Sequence, residues 1–269
     1  MGQLSATETT GLPAECREPL RDLLIACADT KLLMGYHYGE WTFGTPMIEA
    51  AVAHCSLAQG ELGHVRLLHG ILKAHFDVDP DYLVERRPAT QFANISYLDE
   101  PLPGWEAVVA MTVAVDLAIT RVIAALKHST FAPLRSCAAK LLEEERYHLH
   151  HGRGWLRTLA RDHDGRQALG TAVVVACASA AEWFGPGGDA GDDALVAAGV
   201  KSASDQAILQ EVYKDLGEMA GVLGLTQIAV DAPEFDGWTP ARRRSGRNGP
   251  SDEVLYHLRG TKNAVFKQA

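Results

Sequence analysis

"AQGELGHVRLL", residues 58–68, and "KLLEEERYHLHHGRGW", residues 140–155, decide how this chain folds. Each places a glutamate three residues before a histidine: Glu61 with His64, and Glu145 with His148. Side chains three apart on an α-helix project from nearly the same face, so each pair offers one carboxylate and one imidazole to a shared point. The flanking leucines and valines put that face on the buried side. An uncompensated carboxylate is costly there, so the sequence predicts that something cationic meets it.

Working outward, helical periodicity dominates and alternating β-branched runs are nearly absent, which predicts an all-α fold. A first helix spans about Glu18 to Tyr38, its inner stripe running through Leu20, Leu24, Cys27, Lys31, Met34 and Tyr38. A second begins near Pro46 and reaches about Phe76, with Met47, Ala51, His54, Leu57, Glu61, His64 and Leu68 inward. A third opens at "LPGWEAVV" and ends near Lys127, carrying Asp116 on the stripe of Trp105, Val109, Thr112, Ile119 and Ile123. The fourth runs from about Pro133 to Leu159, with Ala138, Leu141, Glu145, His148, Gly152 and Trp155 inward. Two Glu-x-x-His helices plus an inward carboxylate on a third match the plan of a ferritin-like four-helix bundle with a metal-binding core. Carboxylate and imidazole donors without thiolate suit iron first, with manganese or zinc also accommodated.

One domain is expected over 1–269, with the bundle core at about 18–160 and additional C-terminal helices and a loop over about 167–269. Those helices are predicted near Gln167 to Phe184 and Ser204 to Leu223, separated by the flexible "GPGGDAGDD", with a last short helix from about Ser251. "DAPEFDGWTPARRRSGRNGPSDE" before it reads as a surface excursion.

The net charge of -9 disfavours nucleic acid and anionic membranes as partners. The N-terminal "MGQLSATETTGLPAE" lacks a signal-peptide pattern, and the apolar run "ALGTAVVVACASAAEWF" falls short of a spanning segment, so a cytoplasmic protein is expected. Five scattered cysteines are expected as buried thiols. Glu143, Glu144, His150 and His151 read as a solvated face or as the surroundings of the ligands, His54 as a satisfied core histidine, and Tyr147 and Trp155 as packing residues.

The stretches "GYHYGEWTFGTPMIEAAVAHCSLAQGELGHVRLL" and "AAKLLEEERYHLHHGRGWL" resemble the ferritin-like subunits of the phenylacetyl-CoA epoxidase family. The resemblance covers about three quarters of the chain and is anchored on Gly39-Glu40-Trp41, on Arg146-Tyr147-His148-Leu149 and on Gly152-Arg153-Gly154-Trp155-Leu156. That family has a catalytic subunit type that keeps diiron ligands and a structural type that has largely lost them. The anchors resemble the structural type, whereas Glu61, His64, Asp116, Glu145 and His148 stand where the catalytic type has ligands. The resemblance therefore implies a hybrid that retains a metal site.

One position departs from the catalytic pattern. Where that type has a glutamate on the first helix, ten residues before Trp41, this chain has Lys31. Asp29 and Glu40 lie about 200° and about 180° around the helix from it, so neither replaces the glutamate. Lys31 then has three readings: a lysine of lowered pKa acting beside a metal, an ammonium standing in for a missing iron, or a residue turned outward to a surface carboxylate.

The implied function is a non-haem, diiron-type monooxygenase component acting on an aromatic or other acyl-CoA thioester. Iron, two ions or one, with manganese as a substitute, would be the cofactor. A separate reductase would supply electrons, and a homologous ferritin-like subunit or a second copy would be the partner. The alternative is a non-catalytic structural subunit with a degenerate metal site, for which Lys31 argues, and iron storage of the ferritin kind is a third reading. Arg242, Arg243, Arg244 and Arg247 are expected to be solvated or to meet CoA phosphates or an acidic partner.

Overall fold

The computed structural model describes residues 11–225, 228 and 233–261. The first ten residues, part of the stretch read for a leader, and 262–269, the end of the expected domain, lie outside the described residues. Among the described residues there is no strand, only an isolated bridge between Thr239 and Arg244.

Four rods form the bundle: α1 (Ala14–Glu40), α2 (Ile48–Phe76), a third rod Trp105–Leu126, and α5 (Ala132–Leu159). The third rod is α3 (Trp105–Ala110) and α4 (Asp116–Leu126) joined by a π-helical turn, Met111–Val115. The inner stripes are as expected at most positions: Leu20, Leu24, Cys27, Met34 and Tyr38 of α1 have no exposure, and Leu57, Leu68, Val109, Ile119, Ile123, Ala138 and Leu141 are buried. These side chains join one apolar cluster that continues into α6 (His163–Phe184), α7 (Ala190–Ala197), α8 (Asp205–Ala220) and α9 (Asp252–Leu258).

Several expectations are corrected. The second helix starts at Ile48 because Met47 is extended (φ -156°, ψ 158°), and Met47 is exposed rather than inward. "GPGGDAGDD" ends in α7: Asp189 accepts the Asp192 N–H, a helix-start interaction that supports a short helix after the glycines. Cys55 is exposed while the other four cysteines are buried, and Tyr147, on the outer face of α5, is 76% exposed.

The arginine run is not a solvated patch. Arg243 is buried, lies over the Trp183 ring at 4.3 Å and pairs with Asp205 at 2.9 Å. Arg244 is buried too, reaching Asp99 at 2.6 Å and the Asn94 carbonyl at 2.7 Å. Both guanidiniums tie the loop of residues 233–250 to the body, because a buried cation is tolerated only when carboxylates and carbonyls satisfy it. Arg247 stays exposed.

Trp105–Leu126 and His163–Phe184 are long and apolar enough to cross a membrane by length and composition, the second contrary to the expectation for that run. The first is 89% buried in its apolar window and the second 50%, so the apolar side chains of the first serve the bundle core.

Candidate metal centre

Each rod delivers one part of the centre. Lys31 lies on the inner stripe of α1, Glu61 and His64 one turn apart on α2, Asp116 directly after the π turn, and Glu145 with His148 on α5. A π turn adds a residue to the helical path, which re-aims the side chain that follows it. All six side chains are buried, Lys31, Glu61 and Asp116 completely.

Four of the five sequence-predicted ligands, Glu61, Asp116, Glu145 and His148, place one donor atom each within 4.8 Å of one another. His64 stands at the edge of this group, with Nδ1 3.2 Å from Glu145 Oε1 and 3.6 Å from Glu61 Oε2. Lys31 is not turned outward. Its Nζ is 2.5 Å from Glu145 Oε1, 3.0 Å from Glu61 Oε2 and 3.6 Å from Asp116 Oδ1.

Close approach of the rods is needed to bring these groups together, and two glycines permit it. A Cβ on Gly60 would sit 3.1 Å from His148 Nε2, and one on Gly152 would sit 2.7 Å from Thr112 Cγ2. Bulkier residues at either place would push α2 and α5, or α5 and the third rod, apart.

Burial and charge compete at every group. Burial alone would lower the Lys31 pKa, but Glu145, Glu61 and Asp116 outweigh it and hold the ammonium well above its ordinary value, the opposite direction to the lowered-pKa reading. Burial raises the Asp116 carboxyl, Glu145 adds to this, and the result is about 7. Burial opposes the ionised form of Glu61 as well, yet Lys31 prevails and brings it to about 2. Against the opposing effect of burial, the close Asp116 and Glu61 carboxylates raise His148 to about 11, and the close Glu145 and Glu61 carboxylates raise His64 to about 9.

Sequence reasoning missed the supports of these groups. Thr120 donates to Glu145 Oε2 at 3.1 Å, and Tyr38 donates to Thr112 Oγ1 at 2.9 Å. For Tyr38 and Thr112 the signal was present: Tyr38 lies two turns after Lys31 and Thr112 one turn before Asp116, each on the inner stripe that carries that candidate site residue. Glu144, which reads from the sequence as a solvated residue or as part of the ligands' surroundings, reaches His64 Nε2 at 3.0 Å. His54 is a buried core histidine outside the cluster, as expected, packed against Trp105 and His151, although its Nδ1 has no hydrogen-bond partner. Trp155 packs on Trp105, as its packing role anticipated. Asp29, fully committed elsewhere, pairs with the buried Arg87 and accepts the Ala93 N–H.

The donors fit a divalent cation. Both oxygens of Asp116 are buried without a hydrogen-bond partner, a condition that a metal ion relieves. Oxygen and imidazole nitrogen donors suit iron or manganese.

A model of the family described as phenylacetic acid catabolic protein matches residues 1–266. The chain is 28% identical over 137 residues to one of the subunits of 1,2-phenylacetyl-CoA epoxidase from Escherichia coli (strain K12). That match covers 51% of this chain and 55% of the relative, so the chain spans about half the length of the curated relative it matches. The ferritin-like bundle, its buried carboxylate and histidine cluster and the match over nearly the full sequence agree: the chain belongs to the phenylacetic acid catabolic protein family.

Proposed function

We propose that this chain is an iron-binding subunit of a cytoplasmic oxygenase complex that inserts one oxygen atom of O2 into an aromatic acyl-CoA thioester. The observation that carries the reading is the convergence of Glu61, Asp116, Glu145 and His148, with His64 at its edge, in the buried core. In the overall reaction, O2, two electrons from a separate reductase and two protons yield the oxygenated thioester and one water. Iron supplies the one-electron chemistry that O2 requires and that carboxylates and imidazoles lack.

The chain's own residues bind, orient and exclude water. Thr120 fixes the Glu145 carboxylate and Glu144 holds the His64 ring, so neither donor is free to rotate away. The packed stripes above and below keep bulk water from the core. An anionic thioester is supported by a cleft of about 250 Å3 lined by Thr120 and Arg121 of α4, Glu145, Arg146 and Arg153 of α5 and Asp215 of α8; Asp215 pairs with Arg121, which leaves Arg146 and Arg153 as the cations for the ligand. A homologous subunit or a second copy as partner is supported by Ile48 and Val52, one turn apart on α2 and 72% and 65% exposed, and by Phe43 at 99%.

A second reading, a structural subunit that binds no metal, is favoured by Lys31, whose ammonium already meets three carboxylates. Iron content of protein produced in iron-replete cells separates the two. The oxygenase reading expects bound iron that His148→Ala abolishes, and O2 consumption that depends on reductase and phenylacetyl-CoA. Absence of iron from the wild type, with intact assembly of the complex, would establish the scaffold instead.

A further inference from the structure

The three carboxylates face two poles. Toward one pole Glu61 Oε2, Asp116 Oδ1 and Glu145 Oε1 surround Lys31 Nζ at 3.0, 3.6 and 2.5 Å. Toward the other, the second oxygen of each, Glu61 Oε1, Asp116 Oδ2 and Glu145 Oε2, faces His148 Nδ1 at 3.0, 3.4 and 3.6 Å. His64 belongs to the Lys31 pole, since its Nδ1 meets the same Glu61 Oε2 and Glu145 Oε1 that the ammonium does. The cluster is therefore a triad of bridging carboxylates between two cation positions.

We propose that the Lys31 ammonium permanently fills the first position and that the chain holds a single divalent ion at the second, on Glu61, Asp116, Glu145 and His148, with His64 outside its ligand set. This rests on the metal-binding reading above and narrows it from two ions to one. The ammonium donates to Glu145 Oε1 and Glu61 Oε2 and faces Asp116 Oδ1 at 3.6 Å, and an ion on Glu61 Oε2 and Glu145 Oε1 would need the space that Nζ occupies. Charge gives the same count. Three carboxylates and one ammonium leave two negative charges, which one divalent ion cancels when both imidazoles are neutral. A second ion would leave two positive charges uncompensated in a dry core.

The test is anaerobic loading of the full chain with iron(II), removal of free metal, and iron per chain by elemental analysis. About one iron is expected for the wild type, about one for His64→Ala, about none for His148→Ala, and about two for Lys31→Glu, which supplies on α1 the carboxylate that a two-metal bundle has on each of its helices. Lys31→Met, of similar length and unable to ligate, is expected to keep about one, and circular dichroism confirms which variants fold. Two irons in the wild type, or a loss in His64→Ala as complete as in His148→Ala, overturns the one-ion assignment and leaves the metal-binding reading standing. No iron in the wild type or any folded variant overturns both.

Discussion

Lys31 and Glu145, both buried and 2.5 Å apart, set the electrostatics of the core. Three carboxylates there are balanced by the ammonium and by two imidazoles whose protonated forms the carboxylates favour. Their pH consequence has a definite sign. His64 and His148 have folded pKa values of about 9 and about 11, above the unfolded value of about 6.5. The stability they contribute is complete below that unfolded value and is lost as pH rises through the folded ones, because the native chain then holds protons that the unfolded chain has released. Metal-stripped protein is expected to melt at progressively lower temperature between pH 6.5 and 9, and the His64→Ala, His148→Ala double variant to show a flatter profile. A wild-type melting temperature that does not change over that range would contradict the assigned imidazole charges.

At the scale of elements, the centre depends on how closely α5 meets the π turn of the third rod. Gly152 faces Thr112 and Val113, and an added Cβ would lie 2.7 Å from Thr112 Cγ2 and 3.1 Å from Val113 Cγ1. Gly152→Ala is expected to cost about 1–3 kcal/mol through overpacking and to disturb the Tyr38–Thr112 hydrogen bond. Gly154, in the same helix, is the control, since a Cβ added there would meet nothing within 4 Å. Gly154→Ala should gain up to about 1 kcal/mol from helix propensity alone. Urea denaturation midpoints measure both, and equal effects at the two glycines would refute the close-approach argument. The same packing explains why helix boundaries were legible while the π turn was not. Periodicity gives the inward stripe from Trp105 to Ile123, but the extra residue that re-aims Asp116 leaves no pattern in composition.

Across the whole molecule, apolar surface concentrates where α1 passes into α2. Phe43, Met47, Ile48 and Val52, close together in the chain and outside the packed apolar cluster, are all largely exposed. Replacing Phe43 and Val52 together by Asp is expected to weaken association with a homologous subunit, read as a lower assembly mass by analytical ultracentrifugation, without a change in circular dichroism; an unchanged mass would place the interface elsewhere. By itself the sequence determined the helical class, the four rods and five candidate ligands, because repeat distances along a helix are properties of the local chain. It left Lys31 with three readings, the arginine run with the wrong surroundings, and α7 unseen. Those were decided only by the tertiary structure, since the charge a buried side chain meets is supplied by residues far away in the chain: Glu61, Asp116 and Glu145 for Lys31, and Asp205 for Arg243.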